Sequence, residues 1–228
     1  MPTPPRARLK VCCIQSLNEA HLAIRYGADA LGLVASMPTG PGTIPDDLIR
    51  DIASHIPPPI ATFLLTCRQT PEAIVDHIHL TRCNTVQLCD LPTPFTADTY
   101  RHIAREAPGV RIVQVIHVQD DESLEEARHA AQAGVHALLL DSGRTRNLAP
   151  ASLILGGTGQ THDWSLSARI VKDSPVPVFL AGGLTSANVA DAIRAVRPFG
   201  VDLCNGVRTA GHLNEPKLAA FTRALWPT

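Results

Sequence analysis

The sequence is short of the features that mark several large functional classes. Aromatic residues are only 4% of the chain, too few for the stacking rows on which single-stranded nucleic acids lie. Charged residues are 18%, and they balance to −1. No global field therefore draws the chain to nucleic acid or to an acidic membrane surface, and neither is expected as a partner. No apolar run reaches the roughly 18 residues that a membrane-spanning helix needs. The start, Met1-Pro2-Thr3-Pro4-Pro5-Arg6-Ala7-Arg8, is polar and proline-rich and lacks the apolar stretch of a signal peptide. The six cysteines show no regular spacing, and the neighbours Cys12 and Cys13 cannot easily bridge each other. The expectation is free thiols in a reducing, cytoplasmic compartment.

What the chain does have is apolar residues, 45% of 228, enough for one domain with a sizeable core. Strand-length apolar runs (9–14, 30–35, 60–65, 85–89, 110–117, 136–141, 176–181 and 200–204) alternate with helical patterns. The helices are expected over 17–26, 45–56, 71–80, 96–106, 121–133, 164–172, 186–196 and 215–225. Gly27, Pro57-Pro58-Pro59, Pro108-Gly109 and Gly134 punctuate the series. The strands are continuous apolar runs, as in a parallel sheet covered on both faces. Eight such units predict a single (β/α)8 TIM barrel over 9–228, preceded by a flexible tail over 1–8. The alternative, a doubly wound open sheet, normally carries a nucleotide fingerprint at its first turn, and Cys12-Cys13-Ile14-Gln15-Ser16 is unlike one.

In a barrel the chemistry sits at the C-terminal strand ends, and phosphates favour the loops after the last two strands. Gly156-Gly157-Thr158-Gly159 packs three glycines into four residues just before the helical run at Trp164. Such a loop brings free N–H groups and a positive dipole end close to an anion. Gly182-Gly183 and Asn205-Gly206 close the seventh and eighth strands. The candidate phosphate site is therefore Gly157, Thr158, Gly159, Gly182, Gly183, Asn205 and Gly206.

Asp141 closes a strand of four apolar residues. Its alternatives are a cap or salt bridge to Arg144, or a general acid whose pKa is raised by the apolar wall. Cys12 ends the first strand, and is either an ordinary buried cysteine or a thiolate base or nucleophile helped by nearby positive charge. Lys10, two residues earlier on the same side of the strand, is either that charge or a solvated residue at the barrel floor. His117 ends the fifth strand and titrates near neutral pH if exposed. His55, His77, His79, His102 and His129 fall in helical or flanking segments and read as surface residues. Cys12, Cys67, Cys89 and Cys204 all fall near strand ends, yet no CxxC pair or close histidine supports a metal site.

Taken together the motifs resemble the phosphoribosylanthranilate isomerase family of tryptophan biosynthesis. The resemblance spans residues 9–224. It rests on Lys10-Val11-Cys12, Gly27-Ala28-Asp29-Ala30-Leu31-Gly32, Val86-Gln87-Leu88, Leu138-Leu139-Leu140-Asp141, the Gly156–Gly159 stretch through Asp163-Trp164, Ala181-Gly182-Gly183-Leu184-Thr185 and Gly200-Val201-Asp202. It implies an Amadori rearrangement of a small sugar-phosphate substrate. Asp141 would match the general acid that protonates the ring oxygen, and Cys12 the general base that takes the C2′ proton. It implies no metal and no organic cofactor.

The departures fall on one side. Cys13 stands where the family has Gly, Cys89-Asp90 where it has His-Gly, Asn205 where it has Ser, and Gly42 where an Arg faces the anthranilate end. Arg68 and Arg144 are candidates to replace that guanidinium. On this reading Gly42→Arg should improve kcat/KM. The competing readings are a related isomerase or lyase acting on another sugar phosphate, and a non-catalytic phosphate-ligand binder.

Overall fold

A computed structural model describes residues 6–38, 40–89, 95–142 and 163–227 of the chain. Eight parallel strands close into a barrel in chain order, β1 (Arg8–Val11), β2 (Ala30–Val34), β3 (Ala61–Thr66), β4 (Thr85–Leu88), β5 (Arg111–His117), β6 (Ala137–Asp141), β7 (Val178–Leu180) and β8 (Gly200–Leu203). β8 returns onto β1, with Lys10 opposite Asp202 and Val11 opposite Leu203. The outer ring is α1 (Leu17–Arg25), α2 (Asp46–His55), α3 (Pro71–Thr81), α4 (Ala97–Glu106), α5 (Glu122–Ala133), α6 (Trp164–Asp173), α7 (Val189–Val196) and α8 (Glu215–Leu225). This is the expected (β/α)8 barrel.

Local chemistry starts the helices where the sequence places them. The side chains of Ser16, Thr70, Thr96, Asp163 and Asn214 each accept a backbone N–H of the first turn, which satisfies donors that a helix leaves open. Two packed layers result. The outward strand residues, such as Leu9, Leu31, Leu64 and Leu138, meet the buried helix faces. The inward ones, Ala30, Val34, Phe63, Val113, Leu139 and Phe179, fill the barrel, as side-chain layers do in this fold.

Four details differ from expectation. The tail is shorter at its inner end, because Arg8 already pairs with Gly200 and Arg6 stacks on Trp226 and donates to the Gly27 carbonyl. α7 begins at Val189, because Asn188 holds the preceding turn. Its Oδ1 accepts from Thr185 N at 2.8 Å, and its Nδ2 donates to the Gly183 carbonyl at 3.0 Å. A small hairpin, β9 (Arg208–Thr209) and β10 (His212–Leu213), stands between β8 and α8. Its turn residues Ala210 and Gly211 both have positive φ, the backbone that a tight hairpin needs.

The fourth is His77, which is buried rather than exposed. It lies three residues after Ile74 on the inner face of α3, with Nδ1 2.9 Å from Thr66 Oγ1 and Nε2 3.1 Å from Asp46 Oδ1. Among the described residues no helix is long and apolar enough to cross a membrane.

Candidate active site

One cavity opens at the C-terminal ends of the strands, and Cys12, Asp141, Gly182, Gly183, Asn205 and Gly206 all line it. The remaining members of the candidate phosphate site, Gly157, Thr158 and Gly159, lie outside the described residues, as do Arg144 and Asp90.

Cys12 follows β1 and is held from both sides. Its N–H donates to the Leu203 carbonyl on β8 at 2.8 Å, and its own carbonyl accepts from Arg208 Nη2 at 3.0 Å. Arg208 also donates to the Cys13 carbonyl and pairs with Glu19 of α1. The sulfur of Cys12 rests over Gly32 of β2, where an added Cβ would come within 2.7 Å of it. Neither Arg208 nor Gly32 stands out in the sequence as a site residue. The single signal for Gly32 is a glycine at an inward position of a strand that is otherwise bulky.

Lys10 is fully buried, and its ammonium donates to Asp202 Oδ2 at 2.8 Å. Burial alone would push its pKa down. The carboxylate beside it more than offsets this and holds it above the ordinary value. Lys10 is thus not solvated; its charge is matched first by Asp202 and is also felt by the Cys12 sulfur. An ion pair inside a barrel is not itself a sign of stability, because desolvation takes back much of the Coulomb gain. Here it leaves Asp202 Oδ1 buried with no partner among the described residues, and Gln87 Oε1 on β4 is in the same state. Both side chains line the cavity. Buried acceptors without donors are uncommon.

Asp141 ends β6 against this wall. Burial pushes its carboxyl pKa up, and the Asp202 charge adds to that. The Ser142 N–H, donating to Oδ1 at 2.7 Å, and the Lys10 charge act the other way. Cys89, fully enclosed, also has its thiol pushed up by burial. The thiols near the rim do not gather into one group. Cys67 turns to the Ser36 carbonyl while Cys204 meets Cys13, and among the described residues no group of three or more side chains is placed to hold a metal.

Next to β1 around the barrel, the loops after β7 and β8 touch. A Cβ on Gly206 would lie 2.2 Å from the Leu184 carbonyl oxygen, so only glycine fits. Gly182 and Gly183 both take positive φ.

Gly42 packs against Cys13. Its φ is +75°, and a Cβ there would lie 2.5 Å from Cys13 Cβ. Cys13 itself occupies left-handed backbone at φ 61°. An arginine at 42 alone is therefore strained in this chain.

Fold and cavity together define a (β/α)8 barrel with Asp141, Cys12 and the glycine-fixed loops at one mouth. The family model of N-(5'phosphoribosyl)anthranilate (PRA) isomerase matches residues 9–224. The N-(5'-phosphoribosyl)anthranilate isomerase of Methanocella arvoryzae is 37% identical over 211 residues, covering 92% of this chain and 93% of that protein. That of Haloferax volcanii is 35% identical over 210 residues, covering 91% and 87%. Among solved structures, phosphoribosyl anthranilate isomerase from Thermotoga maritima matches with a TM-score of 0.79 at 28% identity, covering 96% of this chain and 98% of that one. Another structure of such an isomerase, in complex with reduced 1-(o-carboxyphenylamino)-1-deoxyribulose 5-phosphate, matches at 0.76 and 26%, with the same coverage. The chain belongs to the PRA isomerase family and is an isomerase of tryptophan biosynthesis.

Proposed function

We propose that this chain rearranges N-(5-phosphoribosyl)anthranilate to 1-(o-carboxyphenylamino)-1-deoxyribulose 5-phosphate, with Asp141 as general acid and Cys12 as general base. The observation that carries the reading is the convergence of Cys12, Asp141, Gly182-Gly183 and Asn205-Gly206 on one cavity. Asp141, whose pKa burial raises, is the acid that gives a proton to the ring oxygen as the C1′–O bond breaks. The resulting iminium acidifies the C2′ hydrogen, which the Cys12 thiolate removes to leave an enolamine. Tautomerisation, one proton gained at C1′ and one lost from the 2′-hydroxyl, yields the aminoketose and returns both side chains to their starting states. No atom enters or leaves the substrate overall.

The sugar lies between two kinds of support. Gln87 Oε1 and Asp202 Oδ1, the buried acceptors on the floor, take its hydroxyl donors. The 5′-phosphate lies against the backbone of Gly182-Gly183 and Asn205-Gly206, completed by Gly157, Thr158 and Gly159. Backbone N–H groups in a glycine-rich turn bind an anion without needing a side-chain cation. The test is an assay with phosphoribosylanthranilate, followed by the loss of anthranilate fluorescence. Turnover that vanishes in both Cys12→Ser and Asp141→Asn supports the assignment. Near wild-type turnover in either variant removes that residue from the mechanism.

A further inference from the structure

Cys13 and Cys204 take no part in the chemistry above, yet they face each other at its edge. They are 191 residues apart in sequence, on the loops after β1 and β8, and their sulfurs are 2.7 Å apart. A movement of less than an ångström brings them to the ~2.05 Å of a disulfide. Both line the cavity, Cys13 buried and Cys204 half-buried. We propose that Cys13 and Cys204 are a peroxide-reactive dithiol that closes to a disulfide at the mouth of the site.

The two thiols are unequal in the way such a pair requires. Cys204 is held below its ordinary pKa, first by the hydrogen bond it shares with Cys13, against burial, and then by the charge of Arg208. Cys13 is held above its own by hydrogen bonding with Cys12 and Cys204 and by burial. Cys204, the more accessible of the two, is therefore the thiolate that reacts first. Its sulfur attacks one peroxide oxygen, the O–O bond breaks, and hydroxide leaves. Cys204 becomes a sulfenic acid, oxidised by two electrons. The Cys13 sulfur then attacks the Cys204 sulfur. The S–S bond forms as the S–O bond breaks, and the departing hydroxyl leaves as water with the Cys13 proton. In sum two thiols and one hydrogen peroxide give one disulfide and two waters. Cys83 is a built-in control, since burial pushes its thiol up to about 12 and it lies away from the cavity.

The full-length reduced protein is treated with hydrogen peroxide, quenched, alkylated and mapped by mass spectrometry. The expected result is an intact mass lower by two hydrogens and a cross-linked peptide pair carrying Cys13 and Cys204. Dithiothreitol removes the link, and it forms roughly tenfold or more faster than Cys83 loses its reactivity to alkylation. Cys204→Ser and Cys13→Ser each abolish the link. Cys204 lies at the half-exposed rim, so Cys204→Ser decides the matter even if Cys13→Ser does not fold. Two results overturn the proposal: both residues still alkylated once other thiols have oxidised, or a recovered link that contains Cys12. The readout is a mass, so its failure is distinct from failure of the isomerase assignment.

Discussion

The two rims of the mouth use glycine for opposite reasons. On the rim made by the loops after β7 and β8, Gly206 is glycine because a carbonyl oxygen of Leu184, part of the backbone, occupies the space of its side chain. On the rim made by the loops after β1 and β2, Gly42 is glycine because the side chain of Cys13 fills that space. Backbone cannot be exchanged, whereas a neighbouring side chain can. The first rim is thus fixed by its own backbone. The second is a pair of positions that can trade bulk. The difference teaches that a missing family residue can follow from a neighbour rather than from a change of ligand. Here the absence of a side chain at 42 goes with its left-handed backbone as well as with the side chain at 13.

The comparison is sharpest where the chemistry is largest. Cys12→Ser and Asp141→Asn are each expected to lower kcat by about 10²–10⁴, with a smaller effect on KM, because a proton in flight is stabilised only in the transition state. Steady-state kinetics with phosphoribosylanthranilate reads both numbers. The glycine rim should show the reverse split. Gly206→Ala pushes a methyl group into the Leu184 carbonyl and spoils the cradle. KM, and the inhibition constant of inorganic phosphate, should then rise roughly ten- to a hundred-fold, the worth of one lost charge-assisted hydrogen bond. Circular dichroism checks that the barrel is intact. A fall in kcat with KM and phosphate inhibition unchanged would break the distinction between the rims.

The exchangeable rim predicts a coupling. Gly42→Arg alone should lower stability by about 1–3 kcal/mol, the scale of a side chain forced into left-handed backbone, with kcat/KM no better than wild type. Cys13→Gly should remove the further clash with the Cys13 side chain and leave the backbone cost at 42 in place. A double-mutant cycle should then return an interaction of roughly 0.5–3 kcal/mol between the two positions, and kcat/KM should rise only in the double variant. Additive effects within error, or a Gly42→Arg enzyme that already improves, would show that the positions do not share one space.

The parts of this molecule that were legible in the sequence are those set by local chemistry. Helix starts at Ser16, Thr70 and Thr96 follow from hydroxyl caps, and the strand ends at Asp141 and Gly182-Gly183 follow from apolar runs that stop at a polar or glycine residue. These place Cys12, Asp141, Gly182, Gly183, Asn205 and Gly206 at one mouth once the eight-fold closure is assumed. What was illegible depends on distance across the barrel. The pairing of Lys10 with Asp202 spans 192 residues, and that of Glu19 with Arg208 spans 189. No periodicity within one strand reports either. His77 was misread because a histidine at the edge of an apolar face looks the same whether or not Thr66 and Asp46 wait for it. The left-handed backbone at Gly42 and its contact with Cys13 also depend on a meeting of two separate loops.

The smallest expected effect tests the electrostatics of the acid without any substrate. In the folded chain the Asp141 carboxyl lies above its ordinary 3.8, chiefly through burial. Below that ordinary value the carboxyl is protonated in both folded and unfolded chains and contributes nothing. As pH rises through the ordinary value, the unfolded chain gives up the proton while the folded chain keeps it, so the unfolded state gains and stability falls. The loss is complete once pH passes the raised folded value. Asp141→Asn keeps the shape and removes the titration. Its Tm relative to wild type should therefore climb between acidic and neutral pH, with the gain flat at higher pH. Thermal melts of both proteins across that range measure the difference. A wild-type chain that gained on the Asn variant as pH rose would mean that the carboxylate, not the acid, is the form the site favours. Asp141 would then hold no proton to give the ring oxygen.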